Sequence, residues 1–174
     1  MSAPDPAVPA PGAALLALYD RAVPQVYGYL LPRCGNVAVA EDLTAETFLA
    51  AVDAVKKNTV PALSVAWLIG VARHKLVDHW RRLAREERNL TLAHDDAASH
   101  EDPWDATLDA ARARDVLAGL GAHHRAALTL RYLDGLSVPE VADHLGRTVH
   151  ATEALLVRAR IAFRRSYEEG WDDA

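Results

Sequence analysis

Ser137 and Glu140 stand three residues apart at the head of SVPEVADHLG, residues 137–146, the spacing at which a hydroxyl and a carboxylate satisfy each other's free backbone N–H at a helix start. Pro139 falls in that first turn, where a missing N–H costs nothing, and Val141, Ala142 and Leu145 then make one apolar face. Gly146 ends the helix. A longer helix is expected from about Thr148, with Thr152, Leu156, Ala159 and Phe163 on its inner side. A short helix, a tight turn and a longer helix ending in basic residues form the pattern of a helix-turn-helix, with small Ala142 letting the two helices cross closely. Apolar spacing alone also allows a helical hairpin inside a bundle. Charge favours the DNA-binding reading: residues 147–165 carry five arginines and one acid, Glu153, in a chain of formal net charge −5.

That net charge argues against a general coat for polyanions, so any nucleic-acid surface has to be local. Alanine-rich, glycine-poor segments without β-branched runs favour helix throughout the 174 residues, and 51% apolar residues are enough for a core. Cys34 is the lone cysteine, which excludes an internal disulfide and fits a buried structural thiol in a reducing compartment. Residues 1–12, rich in Pro and Ala, read as a disordered tail and not a signal peptide, and no apolar run approaches the roughly 20 residues of a membrane span.

Two chemical readings gain no ground. Asp42 and Glu46 lie one helical turn apart, but no second cluster or glycine loop accompanies them, so no enzyme activity, catalytic residue, cofactor or small-molecule substrate is expected. His74 and Asp78 have i,i+4 spacing without a third or fourth ligand, and His123 and His124 face different ways, so no metal site is expected.

In chain order, Leu15, Tyr19, Ala22, Val26 and Leu30 recur at helical spacing up to Cys34, with Pro24 making a kink or a fresh start and Gly35 and Asn36 an end. Residues 40–55, AEDLTAETFLAAVDAV, put Leu43, Thr47, Ala51 and Val55 on one side. The acids beside them are either a solvated face or, with Leu43 and Phe48 exposed among them, a docking surface. Residues 56–63 form a loop around Asn58 and Pro61. Ser64 caps the next helix, which runs to about Arg88 with a buried stripe of Trp67, Leu68, Val71, Ala72, Leu76 and Leu83. Its six Lys/Arg against three acids, interleaved with His74, His79 and Trp80, offer cations for phosphates and rings for bases, the needs of single-stranded DNA; a basic surface helix without function is the competing account. Residues 91–109 then hold six acids and no Lys or Arg, which marks a self-repelling linker. Helices are expected over residues 109–120 and 122–133, with Gly135 as a stop, and the acidic end EEGWDDA frays.

Three segments in this order, AEDLTAETFL (residues 40–49), AWLIGVARHKLVDHWRR (66–82) and LRYLDGLSVPEVADHLG with LLVRAR (130–146, 155–160), resemble an extracytoplasmic-function (ECF) sigma factor, group 4 of the sigma-70 family of bacterial transcription initiation factors. The resemblance implies that Asp42, Leu43, Glu46 and Phe48 dock on the coiled coil of the polymerase β′ subunit, with Ala45 standing where glutamine is common. It places Lys56, Lys57 and Asn58 in the loop that captures a base flipped from the −10 element. Arg73, His74, Lys75, Arg81, Arg82 and Arg85 correspond to the helix along the opened strand, His74 replacing the usual asparagine. Arg147, Thr148, His150, Ala151, Glu153 and Ala154 would face the major groove of the −35 element, with Arg158 on the backbone. There the common Thr-Val-Lys-Ser-Arg run is replaced by residues 151–155, so two cations are lost.

The expected protein is all-α. It has a disordered tail (1–12), a region 2-like domain for core polymerase and the −10 element (13–90), a flexible acidic linker (91–108), a region 4-like helix-turn-helix domain (109–167) and a tail (168–174). The linker either threads toward the polymerase cleft, its acids imitating nucleic acid, or is a solvated tether. Implied partners are core RNA polymerase, promoter DNA and an anti-sigma factor, in the cytoplasm and without membrane insertion. The alternative is a sigma-like regulatory or adaptor protein that binds a partner or DNA without initiating transcription.

Overall fold

The computed structural model describes residues 10–90 and 109–169, and among these every regular element is helical. The expected linker, most of the expected N-terminal tail and residues 170–174 lie outside the described residues. The chain divides into two compact units, Met1–Leu76 and Val77–Ala174, with the division falling inside a helix.

The first unit holds α1 (Pro11–Cys34), α2 (Val37–Lys56) and the first part of α3 (Val65–Leu90). Pro24 lies within α1 without breaking it, and the helix begins two residues before the expected 13. Leu15, Leu18, Ala22, Val26 and Leu30 are buried along one side of α1 and face α2. Tyr19, outside that stripe, sets its ring edge against Phe48 at 5.0 Å between centroids. On α2 the buried stripe contains two threonines. Thr44 and Thr47 donate their hydroxyls to the carbonyls of Ala40 and Leu43, both at 2.7 Å, so burial leaves no orphan.

Caps delimit these helices. Gly35 ends α1 in the left-handed region at φ 66°, and Asn36 accepts from the Val39 N–H to start α2. The end of α2 is a Schellman closure in which Asn58 takes the left-handed position at φ 54°. The Asn58 N–H donates to the Val55 carbonyl at 3.1 Å and the Thr59 N–H to the Ala54 carbonyl at 3.0 Å. Ser64 Oγ accepts from the Trp67 N–H at 3.1 Å at the head of α3, as its position predicts.

The second unit holds the rest of α3 with α4 (Ala110–Gly119), α5 (Ala122–Leu128), a π-helical turn (Thr129–Leu133), α6 (Val138–Leu145) and α7 (Val149–Glu169). The expected helix over 122–133 is thus a short α-helix widening into a π turn, and Gly135 beyond it sits at φ 68°. Asp109 caps α4, its backbone N–H donating to the Tyr167 hydroxyl at 3.0 Å, while the Arg112 guanidinium lies over the Tyr167 ring. These contacts pin the start of α4 to the end of α7. Arg125 donates from Nε to the Leu117 carbonyl at 3.1 Å, covering the end of α4.

The expected capping box is present: the Ser137 N–H donates to the Glu140 carboxylate at 2.7 Å, and the Glu140 N–H donates to Ser137 Oγ at 3.4 Å. Gly146, at φ 63°, ends α6 by a second Schellman closure, its N–H reaching the Asp143 carbonyl and the Arg147 N–H the Ala142 carbonyl. Thr148 Oγ1 then accepts from the Ala151 N–H at 3.2 Å, which starts α7. Buried Val141, Ala142 and Leu145 face buried Thr152, Leu155, Leu156 and Ala159. Because a side chain at positive φ costs an L-residue about 1–2 kcal/mol, Gly146→Ala should lower unfolding stability by that amount. Gly146→Asn should lower it less, since asparagine tolerates the left-handed region. Urea midpoints for the three proteins check the order.

Candidate nucleic-acid and polymerase interface

On α3, Leu68, Ala72, Leu76, Trp80 and Ala84 follow one another every four residues, and all are buried. The expected stripe is right at Leu68, Ala72 and Leu76, while Trp67, Val71 and Leu83 are only half-buried. Trp80 was expected among the charges as a ring for stacking bases. At 1% exposure it is core, because it continues the stripe from Leu76 by one turn. The opposite side carries exposed His74, Arg82 and Arg85 and half-exposed Arg81. Arg81 lies 3.7 Å from Asp78 and donates through Nη2 to the His144 carbonyl. Arg82 reaches His79 Nδ1 at 3.5 Å. Arg73 and Lys75 lie on the flanks of this basic side and are half-buried. Lys75 Nζ is 3.7 Å from the Glu46 carboxylate, so a residue expected to hold DNA and one expected to face β′ meet as a surface ion pair. Lys56, expected in the loop, is the last residue of α2, and it is exposed together with Lys57 and Asn58 on the turn that follows.

On α2, Asp42 and Glu46 are exposed, but Leu43 and Phe48 are 2% and 9% exposed. The expectation that these two present apolar area to a partner is therefore corrected: both lie on the side of α2 that packs inward with Thr44, Thr47 and Ala51. The exposed apolar residues beside the acids are Leu49 and Val52. They were missed, although Leu49 sits three residues from Glu46 and seven from Asp42, off the Leu43–Thr47–Ala51 stripe. Leu15, Leu16, Tyr19, Phe48, Leu49 and Val52 line an open apolar groove between α1 and α2.

At the start of α7, Thr148, His150, Glu153 and Ala154 are exposed and Arg147, Ala151 and Arg158 half-buried. The six residues expected to face the major groove, and Arg158 expected on the backbone, therefore fall at the turn or on the first three turns of α7. Leu155 is 3% exposed, so the position where an arginine is common is occupied by a core residue. His150 Nδ1 and the Glu153 carboxylate lie 4.0 Å apart. His123, on α5, is held below its usual pKa of 6.5, first by burial and then by the Arg147 guanidinium.

Among the described residues, no group of three or more His, Cys, Asp or Glu could hold a metal ion, and no helix is long and apolar enough to cross a membrane. Cys34 is buried.

Two family models match the chain and define its class: Sigma-70 region 2 over residues 18–86 and Sigma-70 region 4 over residues 110–171. The ECF RNA polymerase sigma factor SigL of Mycobacterium tuberculosis is 34% identical over 170 residues, which cover 94% of each chain. The ECF RNA polymerase sigma factor BldN of Streptomyces coelicolor is 35% identical over 147 residues, 82% of this chain and 56% of that relative. Among solved structures, the chain shares its fold with the sigma factor RpoE of Bartonella quintana, solved with the anti-sigma factor NepR, at a TM-score of 0.53 and 21% identity over 90% of this chain and 96% of that one. The chain belongs to the ECF RNA polymerase sigma factors.

Two outcomes follow from this geometry. Asn58→Gly should keep α2 ending where it does, with stability unchanged or slightly raised, whereas Asn58→Val should cost about 1–2 kcal/mol by forcing a β-branched residue to positive φ; thermal melts decide. His123 is neutral in the fold below the pH at which the unfolded chain takes up its proton. Its contribution is therefore intact above pH 6.5 and lost as pH falls through the lower folded-state value. His123→Gln should lose less stability than wild type between neutral and acidic buffer, measured by urea midpoints.

Proposed function

We propose that this sigma factor brings core RNA polymerase to promoters of two-block sequence, holding the opened −10 strand along α3 and entering the −35 major groove with the start of α7. The observation that carries the reading is the coexistence, in one chain, of a basic helix side on α3 and an exposed helix-turn-helix on α6 and α7. Arg73, Lys75, Arg81, Arg82 and Arg85, with His74, hold the strand's phosphates and bases. Lys56, Lys57 and Asn58 surround the captured base, whose unstacking costs a few kcal/mol that phosphate contacts offset. Arg81 exchanges its carbonyl acceptor for a charged phosphate when DNA binds, a change that favours the bound state.

Core polymerase docks on α2. Asp42 and Glu46 meet cations of the β′ coiled coil, Leu49 and Val52 supply apolar area, and Leu43 and Phe48 support that face from beneath. Residues 13–90 and 109–167 act as separate reading domains joined by the acidic segment between them. The chain works by binding, with no catalytic group of its own, in the cytoplasm where polymerase and promoter are, and an anti-sigma factor holds it inactive by covering these faces.

Replacing Arg81 and Arg82 together by alanine should abolish permanganate reactivity of promoter thymines while co-sedimentation with core polymerase is retained. Unchanged reactivity would remove the single-strand role from these residues. A wild-type chain that neither co-sediments with core polymerase nor opens a promoter would point instead to a sigma-like adaptor.

A further inference from the structure

Glu153 is an acid on the helix side that meets DNA under the −35 reading, on which this inference rests. A carboxylate pointed at a polyanion repels it, so the residue needs a reason to be there. Helix stability supplies little. Glu153 lies in the second turn of α7, beyond the reach of the helix N-terminus, and the cap is already made by Thr148. Packing supplies none, because the Glu153 side chain is 60% exposed and that of His150 97% exposed.

What the geometry does supply is orientation. His150 Nδ1 lies 4.0 Å from the Glu153 carboxylate, one turn nearer the helix start, and Ala154 beside them presents only a methyl group to an approaching base pair. In the major groove a carboxylate is a pure acceptor, and the group that matches it without an acceptor alongside is the N4 amino group of cytosine. Guanine and thymine offer Glu153 no donor there, and adenine sets its N7 acceptor beside its amino group.

We propose that Glu153 is a specificity-determining residue that reads one cytosine of the −35 element by accepting from its exocyclic amino group, with His150 as the positioning residue that aims the carboxylate. Arg147 in the turn before α7 and Arg158 on α7 supply the phosphate attraction that offsets the carboxylate's repulsion.

The test is run-off transcription by core polymerase and the full chain from a promoter library with a randomised −35 block, followed by sequencing of the productive templates. Wild type should select cytosine at one position by roughly 5- to 100-fold over other bases. Glu153→Ala should flatten that position alone, and Glu153→Gln should move it toward adenine, whose donor and acceptor an amide matches. His150→Ala should weaken the cytosine preference without changing its identity. If Glu153→Ala and Glu153→Gln leave the preference at every position as in wild type, whatever they do to yield, the inference is overturned and Glu153 is a solvated acid. If wild type itself gives no template-selective transcript, the sigma reading fails and takes this inference with it.

Discussion

The rotation of α3 about its own axis is fixed by one constraint, the burial of Leu68, Ala72, Leu76, Trp80 and Ala84 along a single line. With that line inward, His74, Arg82 and Arg85 can only point to solvent, and Lys75 is carried to the flank where it meets Glu46. A helix with six cations and three acids would otherwise scatter charge around its circumference. Apolar packing, not attraction between cations and a ligand, therefore creates the basic side, which the fold holds in place by itself. A preformed cationic face loses less entropy on binding than one assembled from mobile loops.

The helix-turn-helix depends on a parallel constraint at its turn. Gly146 in the left-handed region and Thr148 as the next cap make a three-residue corner whose backbone groups are met by the ends of α6 and α7. Thr152 fits the same economy, its buried hydroxyl returned to the Thr148 carbonyl. The corner sets the direction of α7, so the residues that follow it are displayed by backbone geometry and can vary without loss of fold. That is why Glu153 and Ala154 can replace commoner residues there.

Much of this was legible in the sequence. The capping box, Gly146, the Ser64 cap and the order of the helices followed from side-chain chemistry that acts within four residues. The misreadings concern which way a residue faces. Phe48 and Trp80 sit at positions that are apolar by type but bordered by charge, and only packing against a neighbouring helix decides whether such a ring is core or surface. The stripes themselves held the answer for Trp80, four residues beyond Leu76, and for Leu49, which falls off the Leu43–Thr47–Ala51 line. The π turn after α5 was not legible, since Thr129 to Leu133 carry no signal that distinguishes a widened turn from a regular one.

If one chain reads two promoter blocks and delivers core polymerase to them, run-off transcription on genomic templates with mapping of transcript 5′ ends should show it. Starts should be absent with core polymerase alone and should lie downstream of a shared pair of sequence blocks at a fixed spacing. Starts identical with and without the chain, or starts sharing only one block, would rule two-block reading out.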